Sequence, residues 1–205
     1  MKTIMSFLLA LLAINLYAGE GLKVGDKASD FKLKNVDGKF VSLADFTKAK
    51  GFVVVFTCNN CPYAKAYQDR LISLDKKYKD KGYPVVAINP NDPEVEPADS
   101  YDNMVKRAKD KGYTFPYLYD DSHQVYKKYG ATNTPHIYVL QKSSSGDLVV
   151  KYIGSIDDNY QDANSVQKPY IENAIEALLQ NKEPDPNFTK AIGCSVKAKP
   201  ASAQL

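Results

Sequence analysis

Two cysteines three residues apart, Cys58 and Cys61, and a third far downstream, Cys194, are the side chains whose chemistry stands out. A thiolate is a nucleophile, and a second thiol nearby can attack a mixed disulfide and release whatever the first has captured. The run Cys58-Asn59-Asn60-Cys61 is followed by Pro62, a residue suited to the first position of a helix. A cysteine at that junction faces unpaired backbone N–H groups and the positive end of the helix dipole, and both favour its thiolate. Other uses of the pair are a structural disulfide or half of a zinc site. Zinc needs two more ligands, and only Cys194, His123 and His136 are left to supply them. Attachment of a c-type haem needs a histidine directly after Cys61, where Pro62 stands. No metal and no cofactor is therefore expected.

The elements that must position these thiols are legible on either side. Gly51 to Phe56 is an unbroken β-branched and aromatic run, as in a strand buried on both faces. After Pro62, Tyr63, Tyr67, Leu71, Leu74 and Tyr78 form an apolar helical stripe that Gly82 closes. Pro84 to Ile88 reads as a second buried strand. Ser100 could cap a helix through Val105 to Lys111, stopped by Gly112. Phe115 to Tyr119 reads as a short strand, and Ser122 to Tyr129 as a short helix carrying a solvent-facing His123. His136 to Leu140 and Leu148 to Tyr152 are two strands joined by a serine-rich turn, and Lys168 to Lys182 is a last helix. Upstream, Phe31 to Lys34 alternates and Asp37-Gly38 marks a hairpin turn. Strand and helix alternate and a hairpin follows, so the expectation is an α/β layered fold with a mixed sheet.

The chain of 205 residues is 44% hydrophobic and 25% charged, with 15 Tyr, 8 Phe and no Trp, which suits one globular domain. A net charge of +3 is too small to suggest a nucleic-acid partner, and the lysines near Lys76 to Lys81 alternate with Asp75 and Asp80 as a solvated face does. Lys2 precedes a nearly all-apolar stretch from Ile4 to Tyr17, with small Ala18 and Gly19 at its end. Residues 1–18 are thus expected to be a secretory signal peptide, 19–182 the folded domain and 183–205 a C-terminal tail whose last residues are disordered. The alternative for the first segment, a membrane anchor, needs ~20 apolar residues. The expected location is the periplasm or the cell exterior, with no membrane contact in the mature form, a setting in which disulfides persist.

Phe31-Lys32-Leu33, Asp37-Gly38-Lys39, Val53 through Tyr63, Ala87 through Asp92, Thr132-Asn133-Thr134-Pro135 and Gly193-Cys194-Ser195 together resemble the thioredoxin superfamily, above all its peroxiredoxin-like branch, the alkyl hydroperoxide reductase/thiol-specific antioxidant group. The resemblance implies a thioredoxin-like three-layer fold, with a central mixed β-sheet flanked by helices. It places the attacking position on Cys61, five residues after Phe56. The family's second cysteine then falls on Ala64, so the resolving partner is Cys58, on the opposite side, and Asn60 stands where thioredoxins usually carry Trp. It also implies a cis peptide at Thr134-Pro135 facing the cysteines, with the Thr134 backbone open to an extended substrate. The peroxiredoxin pattern P-x-x-x-[ST]-x-x-C is not met from either cysteine: its Pro and Ser/Thr positions hold Val54 and Cys58, or Gly51 and Val55.

The implied activity is thiol–disulfide exchange on a protein or small-molecule thiol or disulfide, with an unidentified redox partner. A thiol-dependent peroxidase and a non-catalytic binding module stapled by a disulfide are the alternatives. Cys194 is either an auxiliary resolving thiol or a buried or intermolecular one. His136 either tunes Cys61 or is an ordinary core or surface histidine. Tyr63 and Asn60 flank the nucleophile and could shape access to it.

Overall fold

The computed structural model describes residues 21–199. The segment read as a signal peptide and the last residues of the tail lie outside them. The chain order is β1 (Lys27–Ala28), β2 (Lys32–Asn35), β3 (Phe40–Ser42), β4 (Gly51–Phe56), α1 (Pro62–Tyr78), β5 (Val85–Asn89), α2 (Tyr101–Lys111), β6 (Tyr117–Tyr119), α3 (Val125–Tyr129), β7 (Asn133–Thr134), β8 (His136–Lys142), β9 (Leu148–Gly154), α4 (Tyr170–Leu179) and β10 (Cys194–Ser195). One mixed sheet runs β1-β9-β8-β4-β5-β6-β2-β3, and β10 pairs separately with β7.

β4 lies at the centre, parallel to β5 and antiparallel to β8, and all six of its residues are buried. Its side chains alternate between two cores, as the period of a strand requires. Val53 and Val55 meet Tyr67, Leu71 and Leu74 of α1 and Ile171, Ile175 and Leu178 of α4. Phe52, Val54 and Phe56 meet Phe31, Leu33, Val125 and Tyr129 on the other face. The result is a sheet with an apolar layer on each side. Among the described residues no helix is long and apolar enough to cross a membrane.

The expected elements are present, with shifted ends. α3 begins at Val125 rather than Ser122, because the buried carboxylate of Asp120 accepts from the Gln124 and Tyr126 backbone N–H groups. His123 is therefore in a loop, with φ 55°, and not on a solvent-facing helix. Its ring is largely buried, with Nδ1 3.1 Å from the Pro90 carbonyl and Nε2 3.8 Å from Asp92. Gly112 and Gly130 end α2 and α3 in the left-handed conformation expected of them (φ 62° and 77°). Ser100 stands at the N-cap of α2 but its side chain makes no capping hydrogen bond.

The tail runs back across the sheet end. Phe188 bridges to Ile153, the Ser155 N–H donates to Thr189 Oγ1 at 2.9 Å, and the Ser155 hydroxyl donates to the Lys190 carbonyl at 2.6 Å. Next to it, the segment after β9 is tied to α1. Asp157 accepts from the Tyr67 hydroxyl at 2.8 Å and from Arg70 at 2.6 Å, and Arg70 also donates to the Asn159 carbonyl. Asp157→Ala would leave the mostly buried Arg70 guanidinium without its counter-charge. Such unpaired groups cost about 3 kcal/mol, so the unfolding free energy should fall by that amount, read as a lower urea midpoint at unchanged slope.

Candidate active site

β4 and β8 are antiparallel with Phe56 opposite His136, so the chain leaving β4 and the chain entering β8 emerge at the same end of the sheet. The first is Cys58 to Cys61 and the second is Thr134-Pro135. The Thr134-Pro135 bond is cis, as the resemblance implied. Cys61 is the N-cap residue of α1 and Pro62 its first helical residue. Its Sγ lies 3.1 Å from the Thr134 carbonyl oxygen, and the Cys58 Sγ lies 3.2 Å from the Thr134 hydroxyl. Cys194 arrives on β10, with its Sγ 2.6 Å from that of Cys61. The three cysteines are all free and share one small cluster with Ala64 and Tyr63. Cys58, Cys61, Thr134, Pro135 and Cys194 are thus brought together.

One negative charge is shared unequally among the sulfurs. The Cys58 thiol donates to Cys61, and this, ahead of the donation from Cys194 and the influence of the Ala64 and Cys194 backbone N–H groups, holds the Cys61 thiol down to about 4 against the opposing effect of burial. The Ala64 N–H belongs to the open first turn of α1, although no full side-chain cap closes on it. The Thr134 carbonyl faces Cys61 as an acceptor and serves its protonated form. Cys58 moves strongly the other way, because it donates to Cys61, is buried and feels the charge of Asp99. Burial first, and the hydrogen bond to Cys61 second, push Cys194 up to about 11. The arrangement provides one nucleophile and two proton-bearing thiols that can follow it.

His136 is a core histidine. Its ring packs 5.0 Å from Tyr138, its Nδ1 accepts from the Thr132 N–H at 3.3 Å, and burial pulls it down to about 4, so it is neutral at physiological pH. Tyr63 borders the cysteines and packs against Tyr160 at 4.4 Å between ring centroids. The Asn60 side chain turns outward to accept from Lys65. Sequence reasoning missed the clamp beneath the loop. Buried Asp99 accepts from the Asn59 N–H at 2.5 Å and from the Asn91 amide at 2.7 Å, and the Tyr117 hydroxyl donates to Asn59 Oδ1 at 3.0 Å. The signal that could have found it was the Asn89-Pro90-Asn91-Asp92 turn after a buried strand, since polar side chains there need partners. Among the described residues, no group of three or more His, Cys, Asp or Glu is arranged to hold a metal ion.

Comparison with known proteins adds to this geometry. The AhpC/TSA family matches residues 24–150. The chain belongs to that family. Its fold is thioredoxin-like, and the expected resemblance to the peroxiredoxin-like branch holds. The thiol-disulfide oxidoreductase ResA of Geobacillus thermodenitrificans is 26% identical over 172 residues, covering 80% of this chain and 92% of that protein. A putative peroxiredoxin of Mycobacterium tuberculosis is 30% identical over 121 residues, covering 57% of this chain and 69% of that protein. The crystal structure of an uncharacterized conserved protein from Geobacillus kaustophilus superposes with a TM-score of 0.80 at 40% identity, over 87% of this chain and 94% of that one. Cys58, Cys61 and Pro135 lie inside the span matched by the AhpC/TSA family, and Cys194 lies beyond it.

The charge distribution makes a direct prediction. A lowered value keeps Cys61 ionised above pH 4 to 5, so thiolate absorbance and alkylation by iodoacetamide should persist at pH 6 and fall only as the pH drops through about 4. Cys58→Ala removes the strongest donor and should raise that midpoint by about one pH unit or more. Cys194→Ala should raise it by less.

Proposed function

We propose that this chain is an exported thiol–disulfide oxidoreductase in which Cys61 attacks as the thiolate, Cys58 resolves, and Thr134 with cis-Pro135 aligns an extended substrate. The observation that carries the reading is the joint placement of Cys61 at the open end of α1, 3.1 Å from the Thr134 carbonyl and beside a second thiol that favours its ionisation. The named activity of the ResA relative supports the same chemistry. Export rests on the apolar segment that follows Lys2 and on the use of a cysteine pair. The substrate is a protein or small-molecule disulfide or dithiol. The peroxidase alternative is weaker here, because neither cysteine carries the Pro and Ser/Thr spacing of peroxiredoxins.

In the reductive direction, Cys61 Sγ attacks one sulfur of the substrate disulfide. That S–S bond breaks, the leaving thiolate takes a proton, and a mixed disulfide forms on Cys61. Cys58, having given up its proton, attacks Cys61 Sγ and releases the second substrate thiolate, leaving a Cys58–Cys61 disulfide. A dithiol reductant then restores both thiols, and the oxidative direction is the reverse.

Reduction of insulin disulfides by dithiothreitol should be accelerated by the wild-type protein and by C194S, and should drop to the uncatalysed background in C61S. Full activity in C61S would overturn the assignment. A cysteine pair with a potential below about −300 mV would mark a structural staple instead. Rapid peroxide consumption that needs Cys61 would assign the site to the peroxidase.

A further inference from the structure

The attacking sulfur is covered by the protein's own tail. Cys61 is only 5% exposed, and what lies over it includes Cys194. The covering segment is a β-strand in a specific place. β10 pairs antiparallel with β7 in the register Cys194 opposite Thr134 and Ser195 opposite Asn133. The backbone edge beside the cis-proline, which the proposed reading assigns to a substrate strand, is thus taken by residues 194–195.

The docking is supported on both sides of the pairing. The Asn133 side-chain amide donates to the Gly193 carbonyl at 2.9 Å, and the Val196 N–H donates to the Thr132 carbonyl at 3.0 Å. The Asp92 N–H donates to the Lys197 carbonyl at 2.7 Å, and the Lys197 N–H donates to Asn91 Oδ1 at 2.9 Å. Asn91 is the same side chain that holds Asp99 under the Cys58–Cys61 loop. Gly193 lies so close to the Thr134-Pro135 peptide that a Cβ there would stand 2.3 Å from the Thr134 carbonyl oxygen and 2.9 Å from the Pro135 nitrogen. Only glycine permits that approach.

We infer that residues 193–196 are a built-in substrate strand, which leaves the groove when an external disulfide docks and returns to resolve the Cys61 mixed disulfide through Cys194. The inference rests on the oxidoreductase reading above and adds a second resolving thiol to it. The tail is held by a two-residue pairing and a few flanking hydrogen bonds, outside the main sheet, so its exchange with an incoming strand is a local opening and leaves the cores intact. In the mixed disulfide Cys61 no longer carries charge, and the part of the upward pressure on Cys194 that comes from the Cys61 thiolate disappears. Cys194 then loses its proton to solvent and attacks Cys61 Sγ. The Cys61–substrate bond breaks, the substrate thiolate leaves, and a Cys61–Cys194 disulfide forms. Two electrons have passed to the substrate. Attack of Cys58 on Cys61 can afterwards free Cys194 as a thiolate and move the disulfide to Cys58–Cys61, with no net change in electrons.

The test uses the full chain carrying C58S, so that Cys194 is the only partner left, with the aryl disulfide 5,5′-dithiobis(2-nitrobenzoate) as substrate. C58S should release two equivalents of thionitrobenzoate and retain none, and mass mapping should find Cys61 joined to Cys194. The double variant C58S/C194S should release one equivalent and keep one on Cys61. C58S/G193A, which keeps both thiols but unseats the strand, should give the first equivalent at least as fast and the second more slowly, on the order of tenfold, as the effective concentration of Cys194 falls. If C58S releases one equivalent and retains the other, or releases its second only in a protein-concentration-dependent way, the role of Cys194 is overturned while Cys61 stands. A second release unaffected by G193A overturns the docked strand. If C58S/C194S releases no thionitrobenzoate, Cys61 is not the nucleophile, and the oxidoreductase reading fails with the inference built on it.

Discussion

The register between β4 and β8 is the constraint on which the site depends. Because Phe56 lies opposite His136 in antiparallel strands, the residues following one and preceding the other must leave the sheet together. Both strands are buried through this region, and their side chains are committed alternately to two cores. A slip of one residue would send Val53 and Val55 to the wrong face, so the register cannot drift. The position of Cys61 against the Thr134 carbonyl is therefore set by core packing, far more firmly than loop contacts alone could set it.

On that scaffold the electrostatics follow from crowding. Three sulfurs in one partly dry cluster cannot all ionise, and the hydrogen bond from Cys58, with smaller help from Cys194 and from the Ala64 N–H at the helix terminus, makes Cys61 the one that does. The other two then act as its hydrogen-bond donors and become weaker acids, Cys58 chiefly through that donation and Cys194 chiefly through burial. Their proton affinities belong to the cluster rather than to each residue separately. When Cys61 is consumed in a disulfide its charge vanishes, and the restraint it placed on its neighbours goes with it. In the proposed cycle, nucleophile and resolver are thus ordered in time by a single charge, without a histidine, since His136 is neutral and packed against Tyr138.

The strand before the cysteines, the helix after them and the proline opposite were legible because each carries a strong local signal. Gly51–Phe56 is uninterrupted, the Tyr67, Leu71, Leu74 and Tyr78 stripe has helical spacing, and Thr134-Pro135 stands at the start of a strand. The Asp99 clamp left only the polar turn after β5 as a trace, because it consists of side-chain hydrogen bonds to a segment 40 residues away, which leave no periodicity. His123 was misread because nothing in its neighbours reveals that Asp120 captures the amides at 124 and 126. The docked part of the tail was hidden for a related reason. Its sequence, Gly193 to Lys197, is short and mixed, and what holds it is a two-residue pairing plus hydrogen bonds to residues around 91 and 132, which composition does not encode.

The placement of the partner thiols follows from one substitution in the family's pattern. With Ala64 rather than a cysteine one turn into α1, the helix offers Cys61 no thiol on its C-terminal side. Ala64 is itself buried against the sulfur cluster, so that side of Cys61 is closed by packing. A partner can come only from the loop before the helix or from another segment of chain laid across the groove. Cys58 takes the first route, under the cis-proline turn, and is nearly inaccessible there. Cys194 takes the second, on a strand that occupies the edge a substrate would use. The inner thiol is packed under the turn and the outer one rides on the docked strand, so in the proposed cycle the order in which they meet Cys61 depends on what occupies that edge.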